Sequence, residues 1–372
     1  MKIGILTLPF NNNYGGYLQA YAIMAILKKL GATPELIYRR HNKRSLVWRL
    51  NYIIKNSIKI ILGRKHGTFI PNREKEFYYK GANMMNFVKT RIIPCTPPIF
   101  DTKELQKRTQ MRYDAIIVGS DQVWRPDYVP DIQNFFLTFI SDKISKVAYA
   151  ASFGTDTPLY TEKLKLECGK GFANFDFISV REKSGLKVIN DLGWKCKRQP
   201  EQVLDPTMLL TKDDYEEIVS SHSSESKGKV LSYVLDNNSY IDELRTEISD
   251  YFHKDIIDFF HYQKWQDRDY ILPSIESWLS SFRDADFIIT DSYHGTVFSI
   301  LFNKPFVAIV NSERGIDRFV SLLSVFGLTK CLYSLGDRYA PFDFNWQDIN
   351  ETLIRERERS LIFLEKSIKH NL

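Results

Sequence analysis

Short apolar runs of strand length alternate with helical stretches along the whole chain, and the alternation breaks once, after Asp205 and Pro206. Such alternation argues for parallel sheets covered by helices on both faces. The opening shows the repeating unit. KIGILTL has the length of a strand, GYLQAYAIMAILKKLG carries apolar residues at helical spacing and closes on Gly31, and PELIYRR reads as a second strand. Further strands are expected at YDAIIVGS, KVAYAASFG, FDFISVRE and PEQVLDPT, separated by helices such as SGLKVINDLG. Then comes TKDDYEEIVSSHSSESKGK, which is polar, charged and serine-rich. Beyond it, strands at KVLSYVLD, KDIIDFF, DFIITDS and PFVAIV alternate with helices at YIDELRTEISDYF, SIESWLSSFRDA, TVFSILFN and RFVSLLSVFG. WQDINETLIRERERSLIFLEKSIKH reads as one long closing helix. The expected organisation is an α/β domain over residues 1–208, a linker over 209–228, a second α/β domain over 229–345, and a helix over 346–372 that packs back across the junction.

A chain of 372 residues is long enough for two cores, and two domains imply a cleft. With 51 Lys and Arg against 45 Asp and Glu, the net charge of +6 suits acidic small molecules or an anionic membrane surface and is too small to argue for nucleic acid. Cys95, Cys168, Cys196 and Cys331 lie far apart, with no C-x-x-C and no histidine at zinc spacing, so no metal site is expected and a reducing cytoplasm fits best. MKIGILTLPF is too short for a signal peptide, and no run approaches the roughly 18 apolar residues of a membrane span. RSLVWRLNYIIKNSIKIILGRK mixes cations with large apolar residues. Such a segment usually packs as a helix on its own domain; the alternative is a helix lying on a membrane surface or on a lipid-borne acceptor.

In open α/β sheets ligands bind beyond the carboxyl ends of the strands. That rule selects five loops. In PFNNNYGGYLQA, Asn12, Asn13, Gly15 and Gly16 join the first strand to the first helix; glycines allow close approach and free N–H groups suit an anion. The spacing is not G-x-G-x-x-G, which disfavours a dinucleotide. In VGSDQVWRP, Gly119, Ser120 and Asp121 suit a turn and cap, whereas Trp124 and Arg125 suggest a sugar or anion contact. AASFGT offers small residues only, and SVREKSG places Arg181 after a strand, for a salt bridge or an anion. The last loop, TDSYHG, carries His294 between Asp291, Ser292, Gly295 and Thr296 at the entry to a helix. There a histidine can donate a proton while the helix start attracts an anion, and Gly295 is expected to keep the approach open. The same positive potential opposes a charged imidazole, so an anion must favour it. Absence of G-x-S-x-G and of G-x-x-x-x-G-K-[ST] disfavours an α/β-hydrolase and a P-loop nucleotidase.

Together NNYGGYLQAYA, VGSDQVWRP, YAASFG, SVREKSG, VLDPT and TDSYHGTVFSILFNKPFV resemble, in order, the motifs of bacterial proteins of the polysaccharide pyruvyl transferase family, over roughly residues 3 to 330. The resemblance implies two facing Rossmann-like domains similar to the GT-B glycosyltransferase fold, with the closing helix added. It implies transfer of the enolpyruvyl unit of phosphoenolpyruvate to two hydroxyls of a sugar, forming a pyruvate ketal and releasing phosphate, without a cofactor. The acceptor would be a surface glycan or its lipid-linked precursor. The cysteine pattern and the basic apolar segment add the expectation of a cytoplasmic protein with peripheral contact at the inner membrane face. His294 then corresponds to the family's second-domain histidine at the phosphoenolpyruvate site, Arg181 to a carboxylate or phosphate ligand, and Arg314 or Arg318 to a cation beyond the histidine. Two departures stand out: Gly16 where many members carry Asp, and Ser292 where some carry Arg two places before the histidine.

Phosphoenolpyruvate is multiply anionic, so its site is expected to hold several cations or helix N-termini and no acidic lining. Asp121 or Asp291 is a candidate acceptor of a hydroxyl proton, with capping as the competing role. Two other functions share the architecture: a glycosyltransferase using a nucleotide-sugar donor, and an inactive glycan-binding protein.

Overall fold

A computed structural model describes residues 1–43, 46–61, 73–260, 270–310 and 315–369. The first β-α-β unit forms β1 (Lys2–Leu6), α1 (Tyr14–Lys29) and β2 (Thr33–Leu36). Asn13 caps α1 by accepting from the Gly15 N–H, and the helix ends just before Gly31 at φ 80°. Helices α2 (Leu46–Ile61), α3 (Arg73–Lys80), α4 (Ala82–Arg91) and α5 (Thr102–Thr109) precede β3 (Ala115–Val118). Then come β4 (Ser145–Ala151), α6 (Glu162–Phe172), β5 (Phe177–Val180), α7 (Lys183–Leu192) and β6 (Glu201–Gln202). These six strands form one parallel sheet in the order β2-β1-β3-β4-β5-β6. Strands β3 and β4 are buried along their whole length, as near-continuous apolar runs with helices on both faces require.

After α8 (Lys212–Ile218), a second parallel sheet is built from β7 (Val230–Tyr233), β8 (Ile256–Asp258), β9 (Phe287–Thr290), β10 (Phe306–Ile309) and β11 (Leu332–Tyr333), in the order β11-β10-β9-β7-β8. Its helices are α9 (Ser239–Phe252), α10 (Ile275–Asp284), α11 (Tyr293–Leu301) and α12 (Asp317–Val325). The two-residue β11 was not expected, being too short for any periodicity to show. The long closing helix, α13 (Trp346–Lys369), runs back onto the first sheet. Arg357 donates to the carbonyls of Met208 and Leu210, and Ser360 Oγ accepts from the Leu204 N–H at 3.0 Å.

In each sheet the strand order reverses beside the first strand, between β1 and β3 and between β7 and β9. Ligands bind outside the carboxyl ends of strands at such reversals. Here the two reversals face one another, because α1 is shared between both halves. Tyr14, fully buried at its first turn, stacks on Trp278 at 5.9 Å, meets Phe259 edge-on at 5.3 Å, and donates its hydroxyl to the Pro273 carbonyl at 2.8 Å. One apolar cluster therefore contains Ile23 and Leu27 of the first half with Trp278 and Phe298 of the second.

Truncating the ring should expose this dependence. Tyr14→Ala is expected to lower stability by about 3–5 kcal/mol, as for other buried aromatic truncations. Tyr14→Phe removes only the hydroxyl and should cost about 1 kcal/mol. Denaturant titration of the two variants measures both.

Candidate active site

Where the two reversals meet lies a cavity of about 100 Å³, lined by Asn13, Gly16, Asp121, Arg181, Asp291, Ser292, His294 and Arg318 together with the apolar Phe10, Tyr128 and Leu235. His294 reaches it from α11. The helix begins at Tyr293, three residues earlier than the expected start at Thr296, because the Ser292 hydroxyl caps it by accepting from the Gly295 N–H. His294 thus sits in the first turn and is 4% exposed. The N-terminus of α1 arrives from the other half with Asn13 as its cap. Two helix N-termini converge on one cavity, and their positive ends favour an anion there.

Gly15 and Gly16 do different work. A Cβ at Gly15 would lie 2.0 Å from His294 Nδ1, so this glycine admits the imidazole rather than a ligand. A Cβ at Gly16 would meet nothing within 4 Å, and this backbone borders the open cavity.

Behind the cavity is a buried charge cluster. Asp205 follows β6 and caps the turn Pro206–Met208, its Oδ1 accepting from the Thr207 N–H at 3.0 Å and hydroxyl at 2.7 Å. Its Oδ2 accepts from Arg181 Nη1 at 3.1 Å and from the Ser120 hydroxyl at 2.9 Å, and lies 3.7 Å from His294 Nε2. The last distance is too long for a hydrogen bond, and the contact is an ion pair only when the imidazole is protonated. Burial alone would raise the Asp205 carboxyl, but His294, Arg181 and Thr207 hold it well below the usual carboxylate range. Arg181 also faces Glu182 at 3.4 Å, Asp121 at 3.7 Å and the ring of Tyr293 at 4.2 Å. Burial would lower this guanidinium; Tyr293 and the three carboxylates outweigh burial and keep it a cation.

Several polar atoms here lack a hydrogen-bond partner among the described residues: Arg181 Nη2, Arg318 Nε and His294 Nε2. Burial and the like charge of Arg181 both lower Arg318, which stays charged as guanidinium groups do. Contrary to expectation, acidic groups do line the cavity. Asp291 is engaged by the N–H groups of Leu235 and Asp236, and Asp121, at φ 71°, accepts from the Gln122 N–H.

Other expected contacts are corrected. Trp124 is fully buried in the first domain's core, stacked on Phe136 at 5.5 Å and donating Nε1 to the Phe135 carbonyl, so no sugar can reach it. Ser120 points to Asp205, and Thr296 donates back to the Ser292 carbonyl within the helix. Gly295 does not keep an approach open. A Cβ there would lie 2.3 Å from Thr290 Oγ1, so it serves helix–strand packing. Arg125 lies over Tyr128 at 4.3 Å and donates to Gln122, beside the cavity's edge rather than in its lining. Arg314 lies outside the described residues. No group of three metal-ligating side chains occurs among the described residues.

Asp205 escaped the sequence reading, where D-P-T signals only a cap and a break. Gln19 escaped too; it joins the first two loops by donating to Thr7 Oγ1 at 2.7 Å and accepting from the Ser120 N–H at 3.1 Å. Position on a helix gives no sign of that role.

The sequence model of the polysaccharide pyruvyl transferase family matches residues 13–313. The chain belongs to this family. Membership makes it a transferase acting on a sugar or polysaccharide acceptor. No curated protein matches it. Among solved structures it is similar to the UDP-GlcNAc 2-epimerase of Neisseria meningitidis bound to UDP-GlcNAc, at 10% identity and TM-score 0.44 over 99% of this chain and 94% of that one. The epimerase of Methanocaldococcus jannaschii gives 14% and 0.47, over 97% and 93%. The spinosyn rhamnosyltransferase SpnG complexed with thymidine diphosphate gives 9% and 0.41, over 100% and 96%.

The Asp205 cluster predicts a pH dependence of stability. The folded-state pKa of Asp205 is depressed, so its contribution is present above the unfolded value of about 4 and fades as pH falls below it. Asp205→Asn should cost about 3–5 kcal/mol at neutral pH, since it leaves Arg181 buried with a lost partner. The difference from wild type should shrink in acid. Denaturant midpoints measured across pH test both statements.

Proposed function

We propose that this pyruvyl transferase uses phosphoenolpyruvate as donor and forms a pyruvate ketal on two hydroxyls of one sugar. The acceptor is a bacterial surface glycan, such as an exopolysaccharide or capsule, or its lipid-linked precursor at the cytoplasmic face of the membrane. The observation that carries this reading is the compact cavity into which two helix N-termini, unpaired nitrogens of Arg181 and Arg318, and His294 all converge. Such a site suits a small ligand bearing a carboxylate and a phosphate. Pockets for larger ligands run to roughly 300–1,000 Å³, which weighs against a nucleotide sugar here.

The reaction needs no cofactor. A proton adds to the methylene carbon of phosphoenolpyruvate as the oxygen of the first sugar hydroxyl bonds to the second carbon, and that hydroxyl gives up its proton. The carbon–oxygen bond to phosphate then breaks, the second hydroxyl adds to the same carbon, and its proton leaves with the phosphate as hydrogen phosphate. Positive charge develops at the second carbon, while negative charge accumulates on the departing phosphate. Arg181, Arg318 and the end of α11 answer the phosphate. His294 carries the proton or holds the phosphate, with Asp205 as the counter-charge of its imidazolium. Asp121, at the cavity wall, is placed to take the hydroxyl proton.

Titration calorimetry should register phosphoenolpyruvate binding and none of UDP- or GDP-sugars; the reverse result would replace this reading with nucleotide-sugar transfer. His294→Ala should reduce ketal formation, measured by mass spectrometry of the glycan, by about 100- to 10,000-fold with the fold intact. His294→Gln keeps a hydrogen-bond donor without ready proton donation. Near-normal turnover in that variant assigns His294 to phosphate, and lost turnover with retained binding assigns it to proton transfer. Gly15→Ala should match His294→Ala in effect, because its methyl would occupy the place of the imidazole.

A further inference from the structure

We propose that α2 docks the protein on an anionic lipid bilayer, with its exposed apolar ridge set among the headgroups. The inference depends on no step of the proposed reaction. Leu50, Ile54 and Ile58 stand at four-residue intervals, so they form one ridge along the helix. They are 60%, 56% and 51% exposed. Asn51 and Lys55 are exposed on the same side. A helix packed on its own domain by its apolar face would bury such a ridge. Large apolar side chains aligned in water mark an interaction surface rather than the scatter of single exposed residues normal on a soluble protein.

Charge identifies the occupant. From Leu36 to Arg73 the sequence holds ten Lys and Arg and no Asp or Glu. The remaining residues hold 41 Lys and Arg against 45 Asp and Glu, a net charge of −4 within a chain of +6. The positive excess is therefore gathered on this segment; of its cations Arg39 is buried against Asn134 and takes no part in a surface. Cations beside an apolar helical face match the interface of an anionic bilayer, where headgroups meet the cations and acyl chains the ridge. A second copy of this chain would bring two such basic segments together and repel. The placement is also coherent with the cleft. Segment and helix leave the sheet at the carboxyl end of β2, beside β1, whose following loop lines the cavity.

Flotation of the full-length protein tests the proposal, using vesicles of phosphatidylcholine alone and of phosphatidylcholine with phosphatidylglycerol. The protein should float with the phosphatidylglycerol vesicles only, and high salt should release it. Lys55→Glu exchanges a cation for an anion, and at about fivefold per charge near the surface should weaken binding about 25-fold. Ile54→Glu should abolish flotation while leaving the melting temperature and the turnover of a water-soluble acceptor unchanged. The proposal is overturned if wild type fails to float with phosphatidylglycerol vesicles, or if Ile54→Glu floats as well as wild type. Self-association in sedimentation velocity that Ile54→Glu removes would instead assign the ridge to a second copy. Loss of ketal formation with flotation intact would overturn the proposed reaction and leave this surface standing.

Discussion

A single buried carboxylate oxygen, Asp205 Oδ2, ties the two halves of this protein together electrostatically. It accepts from Arg181 on the first sheet and faces His294 on the second. Desolvated charges are costly unless paired, so each member of this group constrains the others. Arg181 stays charged because carboxylates and an aromatic face surround it, and Asp205 stays charged because His294, Arg181 and Thr207 do. A cluster balanced in this way holds its geometry before any ligand arrives, which is what preorganised electrostatic catalysis requires.

That geometry is only as firm as the packing that presents the two halves to each other. The ring of Tyr14, rooted in the first helix of one half, is buried among Tyr233, Phe259 and Trp278 of the other. Interfaces between domains are usually modest and polar, and relative motion is then the default. Here a continuous apolar cluster crosses the junction and Gly15 lies against His294 with no room for a methyl. The cavity is correspondingly small, which is the property on which the proposed compact donor rests.

Much of this was legible in the sequence. The strand and helix alternation, with burial on both faces of β3 and β4, follows from local pattern alone, and the rule of carboxyl-end loops selected the loops that meet at the cavity. What local pattern does not carry is direction. Trp124 lies in a selected loop yet turns inward, because Phe136, Phe153, Phe172 and Phe175 offer it a core and the Phe135 carbonyl offers its N–H a partner. Thr296 and Gly295 follow a histidine that does line the cavity, and helix geometry rotates them away from it. Asp205 shows the converse failure. Its cap signal was visible, but the long-range partnership with Arg181 and His294 joins residues 24 positions apart on one side and in another sheet on the other.

The departure at Ser292 bears on where the proposed reaction would find its positive charge. Where the family resemblance implies an arginine two places before the histidine, this chain has a hydroxyl already committed as the cap of α11. Ser292 is thus not free to answer a phosphate with its side chain, and the helix it caps supplies only partial positive charge. A full cation must come from elsewhere. Arg318, entering from α12, lines the same cavity and keeps a buried Nε without a partner among the described residues. Burial and the nearby Arg181 both lower Arg318, whereas Arg181 keeps its charge among Glu182, Asp205 and Asp121. In the proposed reaction a multiply charged anion beside Arg318 would offset that repulsion, which would favour a dianionic donor over a neutral one.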